Sequence, residues 1–381
     1  MIVLLCGLAL AMTPDEAVRA ATANDPTLAG AEAELLSATG ARRSASWLRS
    51  NPEIELGADV GGQRFSASVT QELSLSGAGF ADARSGRYGV EAAEAGLVRA
   101  RLVAAAEARR AWARLAAADG ALRAAEREKA SAAAVRTGTA ARRGAGEASD
   151  LELELSRLEE ARGVAAWLQA IDERADAQAE LAAITGDATA TAEGDPLDAV
   201  PPAGSGGARS DVTAAEARVV AARAALARER AEGVPSVGLG AFVESEGDRT
   251  LAGPAIRVEL PIWQQNAGGR GAAKGDLAVA EAQVRATRAR AESEQASASR
   301  RLTELGEAGS SLAPGVDASA ETAARAIEAG VASGEIDPVE AALLRARVFE
   351  GQRGWYAARL AEAEARIDAA LAVEDTGLLR E

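Results

Sequence analysis

Along most of the chain, small apolar residues recur every three or four positions, which is the spacing of an amphipathic helix. Residues 81–137 keep this alanine-rich pattern without a proline, and at 1.5 Å per residue such a helix would be roughly 85 Å long. Helices of this length do not fit a compact domain, so the pattern predicts long antiparallel helical hairpins. The next stretch predicts a helix-packing stripe of Leu151, Leu155, Leu158, Ala165, Leu168, Ile171 and Ala175.

Two segments depart from this pattern because their apolar residues alternate with polar ones, as in a strand with one apolar face. Residues 53–73 form one predicted β-hairpin around Gly61-Gly62, and residues 236–260 form another. A proline opens each segment, Pro52 in the first and Pro235 in the second, 183 positions apart. The apolar positions predicted to share one face of these strands are Ile54, Leu56, Val60, Phe65, Val69, Val237, Leu239, Ile256 and Val258.

A second motif also occurs twice in the chain. The segment "RRGAGEASDLELE" (142–154) matches "EAGVASGEIDPVEA" (328–341), and the Gly-Glu pairs of the two segments are 188 positions apart. Each segment interrupts helical sequence and restarts it with a capping residue, Ser149 in the first and Asp337 in the second. The glycines either permit a tight turn with positive φ or leave room for a partner, and both readings stay open. The candidate site residues of these turns are Gly144, Gly146, Glu147, Asp150, Gly330, Gly334, Glu335 and Asp337.

These repeats predict two copies of one unit: a helix, a β-hairpin, a long helix, a sharp turn and a second long helix. The N-terminal run "MIVLLCGLALAM" resembles the apolar part of a secretory signal, which predicts export; lipidation at Cys6 and a plain hydrophobic tail are the alternatives. The predicted organisation is a signal-like segment at 1–12, a first repeat at 13–185 with its turn near 142–150, a linker at 186–211, and a second repeat at 212–381 with its turn near 328–338.

Composition narrows the function. The 381 residues include no histidine and one cysteine, which excludes His-based triads and most zinc sites. The net charge of -15 argues against a nucleic-acid partner, because phosphate binding needs a basic face. We therefore expect no enzyme, no cofactor and no metal-ligand set of the protein's own.

Two β-hairpins cannot close a sheet, and open strand edges are an aggregation hazard in water and excluded from lipid. If several chains each donate four strands, the strands can close into one barrel. The apolar residues would then face lipid, while polar residues such as Glu55, Ser68 and Arg257 would face water inside. The alternative is a small soluble sheet half-buried on its own helices.

At this point the sequence resembles a known family, the TolC-like outer membrane factors of bacterial tripartite efflux pumps, and in particular the branch that serves heavy-metal resistance. The segments that carry the resemblance are "TPDEAVRAATANDPTLAGAEAE" (13–34), "NPEIEL" (51–56), "SVTQELSLSGAG" (68–79), "GEASDLELELSRLEEAR" (146–162), "SDVTAAEARVVAARAAL" (210–226), "VPSVGLGAF" (234–242), "RVELPIW" (257–263) and "ASGEIDPVEAALLRARV" (332–348).

The resemblance implies a mainly helical homotrimer with a 12-stranded barrel, four strands from each chain, in the outer membrane of a Gram-negative bacterium and extending into the periplasm. It also implies that the two turns meet a periplasmic adaptor (membrane fusion) protein of an inner membrane pump. The expected function is a passive exit duct for metal cations or small toxic compounds. The carboxylates at the turns are expected to be helix caps, a cation-selective gate, or both.

Two other classes remain open from the sequence. A soluble or peripheral coiled-coil interaction protein would also show long helices, and an enzyme based on carboxylates alone is a more distant third. Closure of the strands between chains separates a channel from a scaffold. The segment "GEAGSSLAPGVD" (306–317) is expected to break the helix that leads to the second turn.

Overall fold

The protein is described by a computed structural model that covers residues 11–45, 51–59, 64–73, 76–204, 206–246, 248–259, 265–309, 315–333 and 335–379. Its helices are α1 (Pro14–Asn24), α2 (Pro26–Ser44), α3 (Ala78–Gly144), α4 (Asp150–Thr185), α5 (Ser210–Ala231), α6 (Ala267–Gly309), α7 (Val316–Ala332) and α8 (Pro338–Ala372). Its strands are β1 (Glu53–Ala58), β2 (Arg64–Leu73), β3 (Ser236–Glu246) and β4 (Arg249–Glu259). Two short 3-10 helices cover Pro196–Ala199 and Thr376–Leu379. The prediction of a mainly helical chain with a small antiparallel sheet is confirmed.

Some positions singled out in the sequence lie outside the described residues. They are the apolar segment 1–10, Val60, the Gly61-Gly62 turn, residues 310–314 and Gly334. In the part of the chain that the structure describes, no helix combines the length and the apolar character needed to cross a bilayer.

The chain divides into two compact units. The helical unit spans Met1–Pro26, Arg101–Gly207 and Ser293–Glu381, and the sheet unit spans Thr27–Ala100 and Ala208–Glu292. Each unit takes segments from both predicted sequence repeats. The core of the helical unit and the sheet of the other are therefore built from residues far apart in sequence.

The helical unit has its core around Trp112 and Arg109 on α3, both almost fully buried. The Trp112 indole N–H donates to the Met12 carbonyl at 2.6 Å. The Arg109 guanidinium forms an ion pair with Asp15 at 2.8 Å and donates to the carbonyls of Ala199 and Leu378, each at 3.3 Å. One buried cation therefore joins α1, the inter-repeat linker and the C-terminal 3-10 helix. Since a buried charge without a partner is costly, these segments are fixed together.

Small residues pack α4 on its neighbour. Ser156, Gly163, Ala170 and Ala177 recur every seven residues along α4, and all four are buried. A Cβ added to Gly163 would lie 3.2 Å from the Cα of Lys129 on α3, so the two helix backbones approach closely here. Alanine, serine and glycine at the contact make that approach possible.

The leucine stripe expected to pack α4 does not do so within the chain, and this expectation was wrong. Leu151 and Leu158 are 68% and 66% exposed, and the remaining stripe residues, Leu155, Ala165, Leu168, Ile171 and Ala175, are exposed as well. Both faces of α4 repeat with a helical period, and the face of small residues allows the closer contact. Periodicity alone does not distinguish the two faces.

The interruption at 306–317 is also found, because α6 ends at Gly309 and α7 begins at Val316. Directly after it, Asp317 accepts hydrogen bonds from two α8 side chains, the Tyr356 hydroxyl at 2.7 Å and the Gln352 amide. Tyr356 fills the space above Gly120 on α3, where an added Cβ would lie 2.3 Å from the ring. Its burial and its bond to Asp317 raise the pKa of the Tyr356 hydroxyl. The start of α7 is thus anchored to α8 beyond the break.

In the sheet unit the four strands form one antiparallel sheet in the order β1-β2-β3-β4. The first hairpin contributes β1 and β2, the second β3 and β4, and β2 pairs with β3 over ten residues from Arg64↔Glu246 to Leu73↔Val237. The sequence predicts two hairpins that can enter one barrel, and the pairing of β2 with β3 joins them directly. Within the described residues, β1 and β4 each pair along one side only.

We predict that Ala170→Leu destabilises the protein by about 1–3 kcal/mol, because a larger side chain forces apart two closely packed backbones. Ala175→Leu, the matched control on the exposed face of α4, should change stability by less than about 0.5 kcal/mol. Thermal or denaturant unfolding followed by the helical circular dichroism signal measures both. Equal losses for the two variants would contradict the assignment of the packing face.

Candidate functional site

The sheet has one apolar face that the chain leaves uncovered. The register places Ile54 beside Val69, Val69 beside Ala241, and Leu239 beside Ile256, so these residues lie on one face. Ile54, Leu56 and Ile256 are 69–71% exposed. Phe65, Val69, Leu239 and Val258 are also exposed, Val237 is half-buried, and Val60 lies outside the described residues. Large aliphatic side chains this accessible on several adjacent strands indicate a surface that contacts another protein or a membrane.

The opposite face carries the charged side chains of the described strands, with Phe242 and Leu251 among them, and it is bridged from one edge strand to the other. Arg257 on β4 forms an ion pair with Glu53 at 2.9 Å and lies 3.6 Å from Glu55, and both carboxylates belong to β1. The bridge passes over β2 and β3, where Gly238 lies beside Arg257 in the register and offers no side chain to obstruct it. Such a contact is expected when a sheet curls toward its polar face. The polar side is therefore the inner side of the curl, and the apolar side is the outer one.

The same polar face carries a second ionic cluster at the other end of the strands. Arg64 on β2 forms an ion pair with Glu246 at 2.7 Å and lies 3.7 Å from Glu244. These side chains are about half exposed, so each pair contributes little to stability. Their arrangement matters more than their energy, since charges are restricted to one side of the sheet.

The first sharp turn joins α3 to α4 in the helical unit. Gly146 has φ of +79°, which favours glycine, and the Glu147 N–H donates to the Arg142 carbonyl at 2.8 Å. Ser149 and Glu152 form the predicted capping box, with the Ser149 hydroxyl accepting from the Glu152 N–H at 3.2 Å. The structure thus confirms two expectations for this turn: the capping box at Ser149 and a glycine with positive φ, Gly146.

The second turn joins α7 to α8, with Asp337 as the N-cap of α8, accepting from the Val339 N–H at 2.7 Å. The N–H groups of Glu335 and Ile336 both donate to the Gly330 carbonyl, at 2.9 and 3.0 Å. A Cβ on Gly330 would lie 2.5 Å from the Ile336 side chain, so a larger residue here would have to displace that side chain inside the turn. Gly144, which has no neighbour within 4 Å of an added Cβ, shows no such requirement.

The two turns lie next to each other. Arg142 of the first turn comes within 3.9 Å of Asp337 of the second, and Arg143 forms an ion pair with Asp150 at 2.6 Å. Two of the predicted carboxylates, Asp150 and Asp337, therefore have arginines near them, and the structure brings the two sequence motifs into one site. We refer to residues 142–152 together with 330–337, within the described residues, as the turn site.

Two residues of this region were missed by the sequence reasoning. Ile336 closes the second turn on Gly330, and Arg345 on α8 joins α7 to α3 through Glu328 at 3.2 Å and the Ser131 hydroxyl at 3.1 Å. Ile336 was detectable as the lone large apolar residue in a polar turn. Arg345 carried no local signal, because its partners are distant in sequence.

Hydrogen bonds and charge lower two carboxyl pKa values at the turn site. The hydrogen bond and charge of Arg143 lower the pKa of Asp150, and the hydrogen bonds from the Ser149 backbone N–H and hydroxyl lower that of Glu152. Asp150 is exposed and Glu152 is partly exposed, so their ionised forms hold the turn locally rather than stabilising the whole chain. Among the described residues, no group of acidic or cysteine side chains is arranged to hold a metal ion.

Comparison with known proteins identifies solved structures with a similar architecture. No protein-family model matches the chain, and no curated protein matches its sequence. The chain is similar to the outer-membrane channel OprN at 20% identity with a TM-score of 0.73, over 96% of this chain and 90% of OprN. It is similar to CusC, whose structures concern folding and transmembrane channel formation, at 16% identity and a TM-score of 0.73, over 96% and 92% of the two chains.

The Campylobacter jejuni CmeC outer membrane channel is a further relative in structure, with 16% identity and a TM-score of 0.72 over 97% of this chain and 86% of CmeC. At such identities the likeness establishes the fold. The resemblance to the TolC-like outer membrane factors is thereby confirmed for the fold of nearly the whole chain.

We predict that the first turn loosens as the pH falls below about 4, the ordinary range of carboxyl groups. The pKa values of Asp150 and Glu152 are lowered in the folded turn, so their stabilising contribution is present at higher pH and is lost as acid protonates them. Hydrogen exchange of residues 144–153, corrected for intrinsic rates, measures this opening. Asp150→Asn should show partial opening already at neutral pH, and an unchanged exchange pattern in that variant would contradict the role of the Arg143 pair.

Proposed function

We propose that the protein is the outer membrane channel of a tripartite efflux pump, a passive exit duct in the outer membrane of a Gram-negative bacterium that extends into the periplasm. The observation that carries this proposal is the two-faced sheet, apolar on its outer side, polar on its inner side, and unpaired at the outer edges of β1 and β4 within the described residues. The shared fold with solved outer-membrane channels supports it.

Closure of the strand edges calls for more than one copy of the chain. Lipid offers no hydrogen-bond partners, so the outer edges of β1 and β4 must be paired when the sheet lies in a membrane. We propose a homotrimer in which β4 of one chain pairs with β1 of the next, giving a 12-stranded barrel. The ten- and eleven-residue lengths of β2, β3 and β4 match the nine to eleven or so residues that a tilted strand needs to cross a bilayer.

In this arrangement the exposed apolar residues of the sheet face lipid. The residues assigned to lipid are Ile54, Leu56, Val60, Phe65, Val69, Val237, Leu239, Ile256 and Val258. The polar face, with Arg257, Glu53 and Glu55, would line the lumen. We also propose the two-repeat organisation of the sequence, 13–185 and 212–381, because each repeat supplies one hairpin to the sheet and one turn to the turn site.

We propose that the turn site meets the periplasmic adaptor and forms the inner mouth of the duct. The adjacent, exposed turns provide a surface on which backbone is accessible at Gly144 and Gly146. The energy and the choice of cargo, metal cations or small toxic compounds, would come from the adaptor and the inner membrane pump. The residues assigned to adaptor contact or gating are Gly144, Gly146, Glu147, Asp150, Gly330, Gly334, Glu335 and Asp337.

A soluble or peripheral coiled-coil scaffold is the rival function, and exposure of the apolar strand face weighs against it. A scaffold would gain by burying those side chains on its own helices, at about 25 cal/mol per Å² removed from water. The described strands instead leave Ile54, Leu56 and Ile256 more than two-thirds exposed. We therefore favour the channel, in which lipid covers this face.

The lipid-facing assignment predicts that a charge is tolerated on one face of β2 and not on the opposite face. Val69→Arg places a charge on the apolar face and should impair insertion, at a cost of about 2–4 kcal/mol near the bilayer midplane. Ser66→Arg, the control on the polar face beside Glu244, should insert normally. The measurement is the yield of detergent-requiring trimer extracted from outer membranes. A wild-type protein that is a stable monomer without detergent would overturn the proposed function, and equal yields for the two variants would overturn the face assignment.

The gate assignment predicts cation selectivity at the turn site. A trimer carries three copies each of Glu147, Asp150, Glu335 and Asp337 around one axis, and clustered carboxylates favour cations over anions. The double variant Glu335→Gln with Asp337→Asn should weaken both cation selectivity and block by divalent ions, while asparagine keeps the helix cap. Planar-bilayer conductance is the readout. Neutralising the exposed α4 pair Glu173 and Asp176 in the same way serves as a charge-matched control, and identical behaviour of the two double variants would contradict the gate.

A further inference from the structure

The helix ends next to the sheet carry a charge opposite to that of the chain. The ten residues of α2, α3, α5 and α6 nearest to the sheet include nine arginines or lysines and three acidic residues. The chain as a whole has a net charge of -15. Basic residues are therefore concentrated at the junction between the helices and the strands.

Contacts within the sheet unit place these four helix ends at one level. A Cβ added to Gly86 on α3 would lie 3.0 Å from the Cα of Arg42 on α2, and Asp82 on α3 lies 3.4 Å from Arg228 on α5. The Glu229 carboxylate on α5 accepts a hydrogen bond at 2.7 Å from Asn266, which directly precedes α6. The four ends thus form a continuous surface below the strands.

Most of the cations on this surface have no acidic partner among the described residues. Arg223 pairs with Glu281, and Arg228 pairs with Asp82 and Glu229. In the described part of the protein, no carboxylate lies within 4.0 Å of the seven others. We call these seven the basic collar: Arg42, Arg43, Arg84, Arg87, Arg230, Arg270 and Lys274.

The first turns of α3 combine collar cations with aromatic rings. Phe80 is 78% exposed, and Phe80, Arg84 and Arg87 follow the helical spacing that puts them on one face. The Arg84 and Arg87 guanidinium groups lie 5.9 and 4.9 Å from the centre of the Tyr88 ring, which holds both cations near one place. An exposed aromatic side chain followed by unpaired cations is typical of a membrane interface.

We infer that the basic collar binds the phosphate groups of anionic phospholipids in the periplasmic leaflet, with Phe80 reaching the acyl-chain boundary. The inference rests on the proposed function, which puts the strands in the membrane and the collar at its inner surface. Charge complementarity selects an anionic headgroup, and continuity with the apolar strand face selects a lipid over a soluble anion. The face of α3 that carries Phe80, Arg84 and Arg87 becomes acidic farther from the sheet, at Glu91 and Glu94. The basic collar therefore ends where the membrane surface would end.

The test measures equilibrium binding of a fluorescent short-chain phosphatidylglycerol to the full-length protein in nonionic detergent. Arg84→Gln with Arg87→Gln should weaken binding by about thirtyfold, since each cation near an anionic surface strengthens binding by a factor of about five. The control, Arg218→Gln with Arg288→Gln, removes the same charge from exposed arginines that pair with Glu34 and Glu216 farther from the sheet, and should bind like the wild type. Phe80→Ala should weaken binding of phosphatidylglycerol. The extent to which inorganic phosphate displaces the bound lipid should stay as in the wild type.

Four outcomes would overturn the inference. Equal binding by the two double variants would show that the collar is not the site. Displacement by inorganic phosphate as effective as by unlabelled phosphatidylglycerol would indicate a phosphate site without lipid recognition. A change in ion selectivity of the Arg84/Arg87 variant with unchanged lipid binding would place the collar in the pore. If the wild type conducts in bilayers but shows no preference for phosphatidylglycerol over phosphatidylcholine, this inference fails alone; if it neither inserts nor conducts, the proposed function fails.

Discussion

Unpaired backbone at the edges of a sheet is the constraint on which this protein depends. Four strands with one bare apolar face cannot remain exposed in water, and open edges cannot remain in lipid. Pairing of β2 with β3 removes two of the four edges inside the chain and unites hairpins that are 183 positions apart in sequence. The remaining edges, on β1 and β4, lie where a second copy of the chain can complete the hydrogen bonding. In the proposed trimer, assembly and membrane insertion would be two parts of one solution.

The helices meet their own constraint with small residues. Gly163 and Ala170 bring α4 close to its neighbour, and Gly120 admits the Tyr356 ring between α3 and α8. This is how a chain with 3% aromatic residues packs long helices without a thick core. It also leaves the larger leucines of α4 outside, where they are available to other chains. Packing by alanine and glycine thus leaves the leucine face of α4 exposed within the described part of the chain.

Charge is distributed by position rather than spread evenly. The sheet keeps its ionic groups on the polar face, where Arg257 reaches Glu53 and Glu55, and the turn site sets Arg142 and Arg143 beside carboxylates. The collar is a basic cluster without acidic partners within the described residues. With the apolar strands in a membrane, as proposed, this basic band would face the anionic headgroups at its surface. The buried Arg109, by contrast, serves packing, because it joins three segments with no solvent contact.

The sequence by itself determined the elements whose signals are local. Alternation fixed the strands, and the capping residues Ser149 and Asp337 fixed the restarts of α4 and α8, because caps and pleats depend on near neighbours in the chain. Only the tertiary structure decided which face of α4 packs, that the two hairpins share one sheet, and that Arg142 approaches Asp337. The physical reason is that a repeat of three to four residues exists on more than one helix face, and that contacts between distant residues leave no periodic trace. The choice among them is made by close packing and backbone pairing, which exist only once the chain has folded.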